Sequence, residues 1–152
     1  MELATPRLRR ALGTNPIGDD SAFSLLRRFV EGLPGMRPGR LTLYLGRPDP
    51  AAVRAEQTEI GRLARNGRRT VVITPSSAPL PAGVERREPT GWLSYTWFTA
   101  VMGEAAAIAL VAEAPAGQRE TPVLVTDPDA VRQFVRSIEA ELARPDPELI
   151  AV

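Results

Sequence analysis

The sequence predicts an α/β fold: a mixed sheet of five to six strands with a β-α-β start, a central antiparallel strand pair and a C-terminal helix packed on the sheet. Three observations carry this. A strand pattern, a helix pattern and a second strand pattern follow one another over residues 40–74. Two apolar runs meet at Gly103-Glu104. The most regular helical stripe of the chain comes last, after Asp127-Pro128.

Taken in order, residues 1–19 read as an N-terminal extension or short helix, with Leu3, Leu8 and Leu12 on one side and Gly13, Pro16 and Gly18 as helix breakers after them. Over residues 19–33, Asp20 or Ser21 caps a helix whose apolar face is Leu25, Leu26, Phe29, Val30 and Leu33. RLTLYLG, 40–46, alternates Leu41, Leu43 and Leu45 with Thr42 and Tyr44, the two-residue period of a strand. Asp49 then caps a helix over 51–66, with Pro50 in the first turn, where its missing N–H leaves no bond unmade. Val53, Ile60, Leu63 and Ala64 face inward. TVVIT, 70–74, is β-branched without polar alternation, as in a strand buried on both faces. The order 40–74 implies a parallel pair with a right-handed crossover.

PSSAPLPAG, 75–83, is a proline-rich loop, and VERRE, 84–88, a short edge strand. After the turn PTGWLS, a strand of about seven residues runs through YTWFTAVMG, and AAAIALVAEA, 105–114, supplies its antiparallel partner. PVLVT, 122–126, is another strand after the loop 114–121. The closing helix carries Val131, Phe134, Val135, Ile138 and Leu142 as its stripe. Residues 20–144 thus form a single domain, and 145–152 a flexible tail.

Composition removes several kinds of chemistry. Among 152 residues there is no Cys and no His, and all 19 basic residues are Arg. Thiolate nucleophiles, Cys-ligated metals, the Ser-His-Asp triad and the usual neutral-pH acid–base group are excluded. No metal and no cofactor are expected. Net charge is +1, so there is no overall basic field for nucleic acid. Arg27-Arg28, Arg68-Arg69 and Arg86-Arg87 read as solvated pairs, and no helix-turn-helix pattern occurs, so direct nucleic-acid binding is not expected. MELATPRLRR lacks the apolar run of a signal peptide, and AAAIALVA is too short to span a bilayer. The expectation is a cytoplasmic protein without a membrane partner.

The turn GRPDP has neither a P-loop nor a GxGxxG pattern, and Glu56 and Glu59, three apart on a helix, read as a solvated face. The remaining signal is geometric. Ligands of α/β sheets favour the crevice at the carboxyl ends of parallel strands. There the sequence places Arg47 and Asp49 after the first strand, and Ser76 and Ser77 after the second. Arg47 can hold an anion; Asp49 is already explained as a helix cap. The stretch PTGWLSYTWF, 89–98, adds four aromatics. Strand alternation forbids their lining one surface. Phe98 or Trp97 belongs to the core. Core packing alone is the first reading of the stretch; the next is a pocket rim built from Tyr95 and from Trp92, the aromatic read as partly exposed.

GWLSYTWFTAVMGEAAAIALVAEAP followed by VLVTDPDAVRQFVRSIEAEL resembles the C-terminal half of the DICT sensory domains. LYLGRPDP, a helix and VVIT are similar to their earlier half, so the resemblance spans about 22–144. Leu93 precedes Trp97, which stands where that family often has a tryptophan leading into a strand; Thr96 stands where the family usually has an acidic residue, and the charges before the last strand reduce to Arg119 and Glu120. The ending is also similar to degenerate phospholipase-D-like regulatory domains, whose enzymatic form needs His and Lys that this chain lacks. The DICT resemblance implies a non-catalytic bacterial signal-input domain that binds a small ligand or a partner protein, or self-associates, and transmits its state by contact. Two other classes stay open: an interaction adaptor without a small ligand, and an enzyme using Asp, Glu, Ser and Arg.

Overall fold

The computed structural model describes residues 15–16, 40–66, 69–75, 77–114 and 123–144. The expected helix at 19–33, nearly all of the 1–19 extension, most of the 114–121 loop, the 145–152 tail and Ser76 lie outside them.

Strand β1 is Asn15–Pro16, β2 is Thr42–Gly46, and helix α1 is Pro50–Asn66. Strand β3 is Arg69–Ile73 and β4 is Glu85–Arg87. A 3₁₀ turn at Gly91–Tyr95 leads into β5, Thr96–Met102. Then come β6, Ala107–Glu113, β7, Val123–Val125, and α2, Pro128–Leu142. One sheet holds them in the order β1-β7-β6-β5-β2-β3-β4. The β2–β3 and β3–β4 pairs are parallel and the remaining pairs antiparallel.

The expected α/β architecture is therefore present, with β2-α1-β3 as its start and β5–β6 as its antiparallel centre. Gly103 N–H donates to the Ala106 carbonyl at 2.8 Å and closes the β5–β6 hairpin. β3 lies between two parallel neighbours, and residues 70–74 are all buried, as their unbroken β-branched run requires. β4 is the edge strand that VERRE suggested. The one addition is β1, a two-residue pairing against β7 at the opposite edge. Two residues carry no periodicity, and a proline, which cannot donate to a ladder, is tolerated on an edge.

The two sheet faces follow the two-residue period. Tyr44, Val71, Ile73, Phe98, Ala100, Ala109, Val111 and Val125 meet Val131, Phe134, Val135 and Ile138 of α2. On the other face, Leu45 and Val72 meet Val53 and Ile60 of α1. Leu43, Trp97, Val101, Ile108 and Leu110 extend this second face, joined by Leu63 of α1. The α2 start is built as expected: Asp127 is the cap, its carboxylate accepting from Asp129 N–H, with Pro128 in the first turn.

Candidate functional site: a mixed-charge cleft between sheet and helix

The crevice at the carboxyl ends of β2 and β3 is closed by its own arginine. Arg47 is 0% exposed. Its Nε donates to Glu56 of α1 at 2.6 Å, its Nη2 to Thr99 Oγ1 at 2.7 Å, and its Nη1 to the carbonyls of Gly46 and Phe98. The guanidinium lies 4.3 Å from the Trp97 ring centroid. These contacts tie β2, α1 and β5 together, so Arg47 is an internal brace and not an open anion site. Glu56, read as part of a solvated face, is its counter-charge. Asp49 caps α1, its Oδ1 accepting from Ala51 N–H at 3.0 Å. Ser77 is exposed on the loop. Arg47 is thus taken up as a brace, Asp49 as a helix cap and Ser77 as an exposed loop residue, and Ser76 lies outside the described residues.

The aromatic rim is also corrected. Trp92 is 3% exposed and belongs to the core, whereas Tyr95 is 49% exposed. The cause is local. Gly91 takes φ +52°, and a Cβ there would stand 2.0 Å from Glu141 Oε1. Glycine takes this positive φ without the strain that a Cβ would bring. The turn that it permits folds Trp92 inward, where its ring centroid is 6.0 Å from that of Phe134. Phe98 meets the same ring edge-on at 5.2 Å. Trp97 and Phe98 are both core, on opposite sheet faces.

A cleft lies instead at the amino-terminal end of β2, on the α2 side. Its volume is about 360 Å³, and Arg40, Thr42, Tyr44, Arg69, Met102, Gly103, Glu104 and Val135 line it. Register explains the assembly: Thr42 stands beside Arg69 of β3 and beside Met102 of β5. Thr42 and Tyr44, two apart on one strand, share the face that α2 covers. Tyr44 donates its hydroxyl hydrogen to Glu139 Oε1 of α2 at 2.6 Å. Arg69 Nε and Nη2 bond Glu85 at 3.0–3.3 Å. Its Nη1 faces the cleft, 3.3 Å from the Tyr44 hydroxyl and 3.9 Å from Glu139 Oε1. Arg40 pairs with Glu104 at the hairpin tip.

Electrostatics set the protonation. Burial pushes the Tyr44 hydroxyl up to about 12, and the Glu139 carboxylate that accepts its hydrogen adds to this. The bond to Glu85 raises Arg69 above its ordinary value. At neutral pH the Tyr44 hydroxyl therefore keeps its proton and Arg69 its charge. Among the described residues no group of three or more acidic side chains is placed to hold a metal ion. The arrangement suits recognition by charge and hydrogen bonding.

Sequence reasoning missed this site. Tyr44 and Glu139 are 95 residues apart, and nothing local links them. The available signal was the pair Thr42 and Tyr44 on one face of an otherwise leucine-rich strand.

Comparison with protein-family models, with curated proteins and with solved structures finds no match for the chain. Among the described residues, no helix is long and apolar enough to cross a membrane.

Proposed function

We propose that the chain is a non-catalytic signal-input or regulatory domain that binds a small ligand in the Tyr44–Arg69 cleft and passes its state to a protein partner by contact. The observation that carries this reading is the shared wall. β2, β3 and the β5–β6 turn supply one side and α2 the other, with the Tyr44–Glu139 bond across the seam. An occupant that competes for this bond changes how α2 sits on the sheet. The resemblance to DICT sensory domains points the same way, and on this reading the chain is a bacterial, cytoplasmic module.

Two further features favour binding over the rival classes. The groups whose titration is displaced in the cleft, Tyr44 and Arg69, are both moved away from neutrality, the wrong direction for an acid–base catalyst. Among the described residues Tyr95 is the large hydrophobic side chain that stands exposed, and one side chain is not the patch of several hundred Å² that an adaptor face presents.

The test is methyl NMR of the full chain with ¹³C-methionine, using Met102 in the cleft as reporter and Met102→Leu to assign it. A small-fragment library of mixed charge is screened at millimolar concentration. Shifts of the Met102 methyl, lost in Tyr44→Phe or Arg69→Gln, support the reading. A library that leaves Met102 unmoved while shifting other methionines overturns it.

A further inference from the structure

We propose that the cleft selects small zwitterions of the α-amino acid type, holding the ligand carboxylate on a guanidinium and its ammonium group on a carboxylate. This deepens, and rests on, the reading of the cleft as a ligand site.

Mixed charge supports it first. The lining carries both signs, Arg40 and Arg69 with Glu104, and Glu139 stands beside it, bonded to the Tyr44 hydroxyl. A zwitterion can place its carboxylate against a guanidinium and its ammonium group against a carboxylate, whereas a ligand of one sign satisfies only part of this lining.

Unused bonding capacity is the second support. Charge-assisted N–H···O bonds run at about 2.7–2.9 Å. The cleft-facing Nη1 of Arg69 instead makes one bond of 3.3 Å and stands 3.9 Å from the Glu139 carboxylate. Its other nitrogens are engaged by Glu85, which holds the guanidinium plane in place. A ligand carboxylate can shorten these contacts without dismantling the Arg69–Glu85 pair. At the rim, the Arg40 and Glu104 side chains are 66% and 58% exposed. Exposed pairs of this kind are weak, so a ligand exchanges them at little loss.

Shape is the third. A cleft of about 360 Å³ lies at the small end of ligand sites. Met102 and Val135 give it an apolar patch suited to a short aliphatic side chain.

The experiment titrates the full chain with L-leucine, with N-acetyl-L-leucine, which keeps only the carboxylate, and with L-leucinamide, which keeps only the ammonium group. The Met102 methyl is the readout. L-leucine is expected to bind, with each single-charge analogue weaker by about tenfold or more. Arg40→Gln and Glu104→Gln, both at exposed positions, are expected to weaken L-leucine by a similar factor with the thermal midpoint unchanged. Equal binding of either analogue overturns the zwitterion proposal. So does silence of L-leucine while benzoate or benzylamine moves Met102, and in that case the cleft remains a ligand site. If no compound moves Met102, the proposal and the ligand-site reading fall together.

Discussion

Arg47 shows how a residue that looks functional by position can be structural by environment. A buried guanidinium without a counter-charge is strongly unfavourable, and removing one partner of such a pair costs about 3–5 kcal/mol. Glu56 keeps 23% of its side-chain surface, so water already shares its charge. Glu56→Gln should therefore destabilise by about 3 kcal/mol in urea unfolding, since it takes this carboxylate away from a fully buried cation. Arg47→Met removes that cation, so the double variant should lose about 1–3 kcal/mol less than the sum of the two. Additive losses would mean that the pair is not coupled. Thr70 offers the opposite sign. Its hydroxyl is buried and has no hydrogen-bond partner among the described residues. Desolvating an unpaired hydroxyl costs about 1–3 kcal/mol in mutational data. Thr70→Val should thus raise stability by about 1 kcal/mol, and a loss of stability on this change would refute that assignment of the cost.

At the scale of elements, α2 carries both the fold and the proposed site, and its stripe and its terminus can be tested separately. Phe134 touches Trp92 from the 3₁₀ turn and Phe98 from β5. Phe134→Ala should cost about 3–5 kcal/mol, the range for a large aromatic removed from a core. Asp127→Ala removes only the cap at the helix start, worth about 1 kcal/mol. A chemical-denaturation series that ranks the two in reverse would show that α2 is held by its terminus and not by its stripe. The elements themselves were legible because each carried a local signature. The Asp-Pro starts, the run TVVIT and the Gly103-Glu104 tip act within a few residues of chain. The position of Trp92 was not legible, because the turn at Gly91 folds its ring against Phe134 of α2, distant in the chain. The cleft was hidden for the same reason. Its wall is a register between β2, β3 and β5, and its floor bond joins β2 to α2. Arg47 misled because a strand-end arginine has the same sequence signature whether its side chain points outward or into the core.

For the whole molecule, the absence of Lys and Cys makes the alkaline limb of stability simple. With only Arg as side-chain cation, tyrosine is the side chain that ordinarily titrates near pH 10, and the chain has two. Tyr44 is raised to about 12, first by burial and then by Glu139. The unfolded chain releases that proton near pH 10, while the folded chain holds it to about pH 12. Below pH 10 both states are protonated, and the contribution of Tyr44 is fully present. As pH rises from about 10 to about 12 the unfolded state binds fewer protons than the folded one, so stability falls with pH. The contribution is gone above the folded value. Tyr44→Phe removes the titrating group together with the bond that anchors β2 to α2. The variant should be less stable than the parent at pH 8, and its stability should decline less steeply between about pH 10 and about pH 11.5. Urea midpoints measured across that window decide it: parallel curves for parent and variant would place the alkaline transition elsewhere, and converging curves assign it to the sheet–helix seam that the proposed ligand site shares.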